Sequence, residues 1–145
     1  MILVIQFQEI LGALVGNRQF KTGSRRDSAK NKPPLSKLPF PALVEVAFVH
    51  EYGDSNFGTG NWRKGQPFSE LSNSMLRHWE KWFYHGEDLD PKSGRHHLAH
   101  MAWNALILLW EVLYYNPLLD DRQTSTGEWR SKEFAKSKLA KELEK

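Results

Sequence analysis

Three stretches of this chain carry apolar residues at helical spacing. In residues 42–52, ALVEVAFVHEY, the side chains of Leu43, Val44, Ala47, Phe48 and Tyr52 recur at steps that place them along one helix, which predicts a first short core helix. Pro67 suits the first position of a second helix. From there Phe68, Leu71, Met75, Leu76, Trp79, Trp82 and Phe83 form an apolar stripe to about Tyr84, and Gly86 stops it. The third stretch runs from about Arg95 to Tyr115. It is apolar almost all round through Leu98, Met101, Ala102, Trp103, Ala105, Leu106, Ile107, Leu109, Trp110 and Leu113, until Pro117 ends it. A helix of that kind is expected in the middle of a bundle. Gly53 to Gly65, with glycines at 53, 58, 60 and 65, is predicted as a loop, and so are residues 86–95 with Pro91 and Gly94.

The flanks differ. Residues 1–16, MILVIQFQEILGALVG, are apolar but lack a basic start and are interrupted by Gln6, Gln8 and Glu9. They predict a short strand or helix packed on the domain or on a second subunit, in preference to a signal peptide. Residues 17–41 are basic, and Pro33, Pro34, Pro39 and Pro41 forbid a long helix, so an extended arm is expected. The tail SKEFAKSKLAKELEK predicts at most a solvated helix. The fold class is therefore all-α, a small bundle of three to four helices with an extended N-terminal arm. It divides into an apolar extension (1–21), a helical domain (22–116) and a charged tail (117–145).

Composition narrows the function. With 145 residues the chain suits one core, and a net charge of +3 from 20 basic and 17 acidic residues is too balanced for a protein that coats DNA. A nucleic-acid partner is thus disfavoured, while an anionic small ligand is not. Cysteine is absent, which removes thiolate metal sites and disulfides and makes the cytoplasm the default compartment. No segment reaches the roughly 20 apolar residues of a membrane span.

Chemistry concentrates between Arg77 and Asn104, RHWEKWFYHGEDLDPKSGRHHLAHMAWN, which holds five of the six histidines. His97, His100, Asn104 and Glu111 advance by three, four and seven and so share one face of the third helix. On an apolar helix such groups either build a site or form a structural hydrogen-bond network, because a buried polar group left unsatisfied costs about 1–3 kcal/mol. Glu70, Asn73, Ser74, Arg77 and His78 are grouped in the same way on the second helix. Arg77 can grip phosphate in bidentate fashion, and His78 can move a proton or bind metal. Glu87, Asp88 and Asp90 offer hard oxygen ligands for Mg²⁺ or Mn²⁺; the alternative is a turn that favours the positive end of the next helix. His50, His85 and His96 are expected to be structural or exposed. Tyr52, Asn61, Trp62 and Lys64 combine aromatic faces with amide and cation, a composition that stacks a base and neutralises phosphate. The spacing is neither a P-loop nor an EF-hand.

The ordered blocks TGSRRDSAKNKPPLSKLPFPAL (22–43), EYGDSNFGTGNWRKGQPFSE (51–70) and MLRHWEKWFYHGEDLDPKSGRHHLAHMAWNALILLWE (75–111) resemble the phage and bacterial dATP/dGTP diphosphohydrolase N-terminal family. The pattern runs R-D-S-x-x-x-K-P, Y-G, N-W-x-K-G, L-R-H and G-E-D-x-D-x-x-S-G-x-x-H-x-x-H-x-x-W-N. The chain departs by its apolar extension and by Ser55–Thr59 ahead of Asn61. The resemblance implies a metal-dependent pyrophosphohydrolase that splits deoxypurine triphosphates into monophosphate and pyrophosphate. It carries Arg77, His78, Glu87, Asp88, Asp90, His97, His100 and Asn104 into a central site, within which His78, Glu87 and Arg77 are expected in catalysis and Asp88, Asp90, His97 and His100 on the metal; which carboxylate is ligand and which is base does not follow from sequence. Arg25, Asp27, Tyr52, Asn61, Trp62, Lys64 and Asn104 fall to the substrate. A nucleoside triphosphate is the implied partner, and the compartment is the host cytoplasm if the chain is phage-encoded; a homo-oligomer is expected from the apolar residues 1–16. The rival expectation is a non-enzymatic module that binds a nucleotide or nucleic acid and whose His/Asp cluster is structural.

Overall fold

The computed structural model describes residues 17–27, 31–114, 116–137 and 141–142. The apolar segment 1–16 lies outside them. The chain divides into two compact units, one ending at Leu38 and one beginning at Pro39.

The first unit holds a short antiparallel hairpin, β1 (Asn17–Gln19) and β2 (Arg25–Asp27), with Arg18 opposite Arg26. Its turn closes through Phe20 N–H to the Ser24 carbonyl at 2.9 Å, with Gly23 at φ +87°. The Arg18 guanidinium sits 4.6 Å above the Phe20 ring. A 3₁₀ turn at Leu35–Lys37 follows the paired prolines. Part of the stretch expected to be simply extended is thus folded back on itself.

The second unit is helical. Helix α1 (Phe40–Phe57) opens with Pro41 in its first turn. It runs five residues beyond the predicted end and through Gly53, where a loop was expected. A lone glycine costs a helix only about 1 kcal/mol, and here Ser55 Oγ and Asn56 Nδ2 donate back to the carbonyls of Glu51 and Tyr52, at 2.9 and 2.8 Å. Gly58, at φ +92°, ends it. A 3₁₀ turn, Asn61–Lys64, leads to Gly65 and then to α2 (Phe68–Phe83).

The free N–H groups at the start of α2 find partners far along the chain. Phe68 N–H donates to the Leu119 carbonyl at 2.9 Å, and Ser69 donates to Asp121 from its backbone at 2.9 Å and from its hydroxyl. Helix α3 (His97–Leu113) is capped by His96, whose Nδ1 accepts the Leu98 N–H at 3.1 Å. A short α4 (Lys132–Ala135) follows. The tail was expected to be solvated; instead Phe134 is fully buried and packs edge-on against Trp129, so one aromatic ring anchors the segment.

Helix α3 packs most extensively on α2 and less on α1. The apolar core is small: Val46, Val49, Phe68, Leu71, Ala99, Ile107 and Phe134. His97, His100, Asn104 and Glu111 are buried beside it. The face of α3 turned inward is therefore the polar one. The most apolar helix was expected to be enclosed on all sides, but Leu106, Leu109, Val112 and Leu113 are exposed. No helix of the described residues is long and apolar enough to cross a membrane.

Candidate functional site

A cleft of about 280 Å³ lies where α1, α2, α3 and the Asn61–Lys64 turn meet. Helix α1 supplies Tyr52, His50, Asp54 and Phe57 to its wall, and the turn supplies Asn61 and Trp62. Helix α2 presents Glu70, Ser74, Arg77 and His78, and α3 presents His100, Trp103 and Asn104. The lining thus brings aromatic and amide groups together with an arginine and imidazoles, and Tyr52 stands edge-on to His100 at 6.4 Å.

Helical spacing produces this convergence. Arg77 and His78 come from the last two turns of α2, and His97, His100 and Asn104 from the first two turns of α3. The loop between them is a tight hairpin that brings these ends together. Asp90 N–H donates to the Arg95 carbonyl at 2.8 Å, His97 N–H donates to the Asp88 carbonyl at 2.9 Å, and Gly94 adopts φ +68°.

Three histidines touch. The Nδ1 atoms of His78 and His97 are 2.8 Å apart, and the rings of His78 and His100 stack at 4.4 Å with a 9° tilt. Burial, then the charges of His100 and His97, pull the His78 pKa down to about 4, and Arg77 adds to this against an opposing effect of Asp90. Burial likewise lowers His100. For Asp90, burial pushes upward, but the Ser93 hydroxyl and backbone N–H and then His100 and His78 hold it below the usual carboxylate value.

The hydrogen bonds fix proton positions. The Ser93 hydroxyl donates to Asp90 Oδ2 at 2.8 Å, and the Ser93 backbone N–H reaches the same oxygen at 2.9 Å. Ser93 Oγ is also 2.6 Å from His100 Nε2. A hydroxyl has one proton, so His100 Nε2 must carry its own and donate it to Ser93. This leaves His100 Nδ1 as a lone pair. Elsewhere in the lining, Trp103 Nε1–H donates to His50 Nδ1 at 3.0 Å. The indole can only donate, so the neutral His50 ring keeps its proton on Nε2, 3.8 Å from Asp54 Oδ2. Asp54 Oδ1 accepts the Gly60 N–H at 3.2 Å and so ties the Trp62 turn to α1. Trp62 stands edge-on to His50 at 5.7 Å and to Trp110 at 5.0 Å.

The sequence-predicted residues fall into three groups. Arg77, His78, His100, Tyr52, Asn61, Trp62 and Asn104 line the cleft. His97, Glu87 and Asp90 brace it: His97 Nε2 is 3.8 Å from Glu87 Oε2, and His100 Nε2 is 3.7 Å from Asp90 Oδ2. Asp88 is largely exposed, 3.8 Å from His96 Nε2. Lys64 is exposed on the turn beside Trp62. Arg25 and Asp27 belong to the hairpin unit, with Lys32 4.0 Å from Asp27. Sequence reasoning missed the parts of His50, Asp54, Trp103 and Ser93. The four-residue step from His50 to Asp54 was a usable signal, whereas the Trp103–His50 bond spans 53 positions and had none.

Among the described residues no three His, Asp or Glu side chains are spaced to hold a metal ion. One feature nevertheless invites one. His97 Nε2 is buried without a hydrogen-bond partner, 3.8 Å from Glu87 Oε2. The other ring nitrogen, Nδ1, is 2.8 Å from His78 Nδ1, a hydrogen-bond distance that occupies it. An imidazole and a carboxylate are donor types that a divalent cation accepts.

A small helical domain whose cleft is lined by aromatic side chains, an arginine and a histidine cluster defines the class. Over residues 22–122 the chain matches the family "dATP/dGTP diphosphohydrolase, N-terminal", and it belongs to that family. It is 33% identical over 109 residues to a "dATP/dGTP diphosphohydrolase" of Salmonella phage PMBT28, a match that takes in 73% of this chain. It spans only 35% of that relative's length. No solved structure matches it.

Proposed function

We propose that this domain is a nucleotide pyrophosphohydrolase that converts deoxypurine triphosphates to the monophosphate and pyrophosphate. The observation that carries this reading is the single cleft that Arg77, His78 and His100 share with Trp62 and Tyr52. Side chains suited to phosphate and to a base line the same cavity.

Trp62 and Tyr52 stack the base, and Asn61 and Asn104 contact its polar edge or the sugar. Arg77 takes the charge that grows on the phosphate oxygens as the link breaks. Lys64, on the same turn as Trp62, adds positive charge at the rim. His100, fixed through Ser93 and Asp90, accepts a proton from the attacking water at its Nδ1. The water oxygen then bonds the α-phosphorus, the bond to the bridging oxygen breaks, and pyrophosphate leaves with that electron pair. His97, through its unpartnered Nε2, and Glu87 would hold a divalent cation, Mg²⁺ or Mn²⁺, together with the substrate's phosphate oxygens; Asp88, paired with His96, stands outside this pair. When bound, such a cation polarises the phosphate link and lowers the pKa of water.

Product analysis tests this. The purified chain is incubated with each deoxynucleoside and ribonucleoside triphosphate, with Mg²⁺ or Mn²⁺. Monophosphate plus pyrophosphate from the deoxypurines, abolished by a chelator and by Arg77→Ala, is the expected result. Binding of the same nucleotides without turnover would refute the hydrolase and leave a nucleotide-binding module.

A further inference from the structure

Helix α3 is inside out. Its inward face carries His97, His100, Asn104 and Glu111, all buried. Centred about 150° from them around the helix, at 100° per residue, are Leu98, Ala102, Ala105, Leu106, Leu109, Val112 and Leu113, and every one of these is exposed. Leu106, Leu109 and Leu113 each keep more than half of their surface in water, at 51%, 53% and 59%. The only charged residue of the helix is Glu111, which lies on the buried side. A soluble helix ordinarily presents the reverse arrangement.

We infer that this face is an interface at which two copies of the chain pack α3 against α3. The stripe from Leu98 to Leu113 is about 22 Å long at 1.5 Å per residue, the length of a full helix–helix contact. Ala102 and Ala105 sit within it, and small side chains there let two helix axes approach to the usual 8–10 Å. Charge selects the occupant. In a two-fold contact each face meets a copy of itself, so any net charge on it would be doubled and would repel. This face has none. A membrane surface fits less well, since helices that lie on lipid flank their apolar face with lysine and arginine, and α3 contains neither. Among the described residues, the remaining helix beyond α1 and α2 is the four-residue α4, too short to cover the stripe. The sequence-based expectation of a homo-oligomer rested on residues 1–16; the geometry points to α3 instead. An interface there lies on the side of α3 away from His100 and Asn104, so both copies keep their clefts open.

The test is sedimentation equilibrium of the full chain over a roughly hundredfold concentration range, which resolves a wide span of dissociation constants, with no nucleotide or metal added. A dimer is expected. Leu109→Glu should raise its dissociation constant at least about a hundredfold, because each copy would bury an unpaired carboxylate. It should leave helical circular dichroism unchanged, since Leu109 is exposed in the protomer. A cysteine supplies a second readout. The chain has none of its own, so Ala102→Cys and Ala105→Cys should each give a disulfide-linked dimer on oxidation, and Glu80→Cys on α2 should not. A wild-type chain that stays monomeric throughout, as it would if its own residues 1–16 covered the face, overturns the inference. So does a dimer that Leu109→Glu leaves intact. Neither readout depends on hydrolase activity, so the interface and the proposed reaction fail separately.

Discussion

Ser93 Oγ lies 2.6 Å from His100 Nε2 and donates its own hydroxyl hydrogen to a bond with Asp90. Through this one hydroxyl a loop carboxylate sets the tautomer of a histidine that faces the cleft. Ser93→Ala removes the link without touching the cleft wall. Turnover is expected to fall about tenfold to a hundredfold, within the range of acid–base contributions, with KM nearly unchanged. Steady-state kinetics on the preferred nucleotide check this. A rise in KM at constant kcat would instead place Ser93 in ground-state binding.

Asp54 performs the equivalent service for the turn that carries Trp62, because its carboxylate holds the Gly60 N–H and approaches His50. Asp54→Ala should loosen the turn that carries Trp62 and weaken nucleotide binding by several-fold. Trp62→Ala removes the stacking face itself and should cost about 1–3 kcal/mol of binding, the usual worth of stacking one base on an aromatic side chain. Titration calorimetry with a non-hydrolysable nucleotide measures both. Equal affinity of wild type and Trp62→Ala would move the base elsewhere.

The helices were legible because apolar spacing is a local signal, and α2 and α3 fall where it put them. So was the shared face of His97, His100, Asn104 and Glu111, which follows from helix geometry alone. The extension of α1 through Gly53 was hidden, since glycine reads as a loop signal and the side-chain bonds from Ser55 and Asn56 that carry the helix on appear only once it is folded. The burial of Phe134 was hidden by the lysines around it. Which carboxylates reach which histidines was not readable either. Asp88 and Asp90 are equally acidic in sequence, yet a hairpin loop directs one to Ser93 and leaves the other exposed.

Gly65 tests the closure beneath the Trp62 turn. Its φ is +83°, and an added Cβ would come within 2.6 Å of Leu119 Cδ1. Gly65→Ala should therefore destabilise the fold by about 1–3 kcal/mol, from backbone strain together with the clash. Adding Leu119→Ala would relieve the clash but not the strain, so the double variant should be less unstable than the sum of the two single ones. Strict additivity in chemical denaturation would show that Leu119 is not the obstacle.

Glu111 lies under the same turn, with Oε1 buried, without a hydrogen-bond partner and 3.6 Å from where a Gly65 Cβ would be. Burial raises its pKa above the ordinary 4.5. The folded state thus binds this proton more tightly than the unfolded chain does. The stabilisation from holding the neutral acid is complete below the unfolded value and is lost as pH rises through the folded value. At neutral pH the protein carries either a buried carboxylate or the work of keeping it protonated. Glu111→Gln keeps the shape and removes the charge. It should raise stability on the order of 1 kcal/mol at pH 7, with the gain shrinking toward zero as the pH is lowered below 4.5. Thermal melts of both proteins at a series of pH values give the difference directly. A glutamine variant that is less stable at pH 7 than at pH 4 relative to wild type would show that the carboxylate has a favourable partner in solution and that its charge is used.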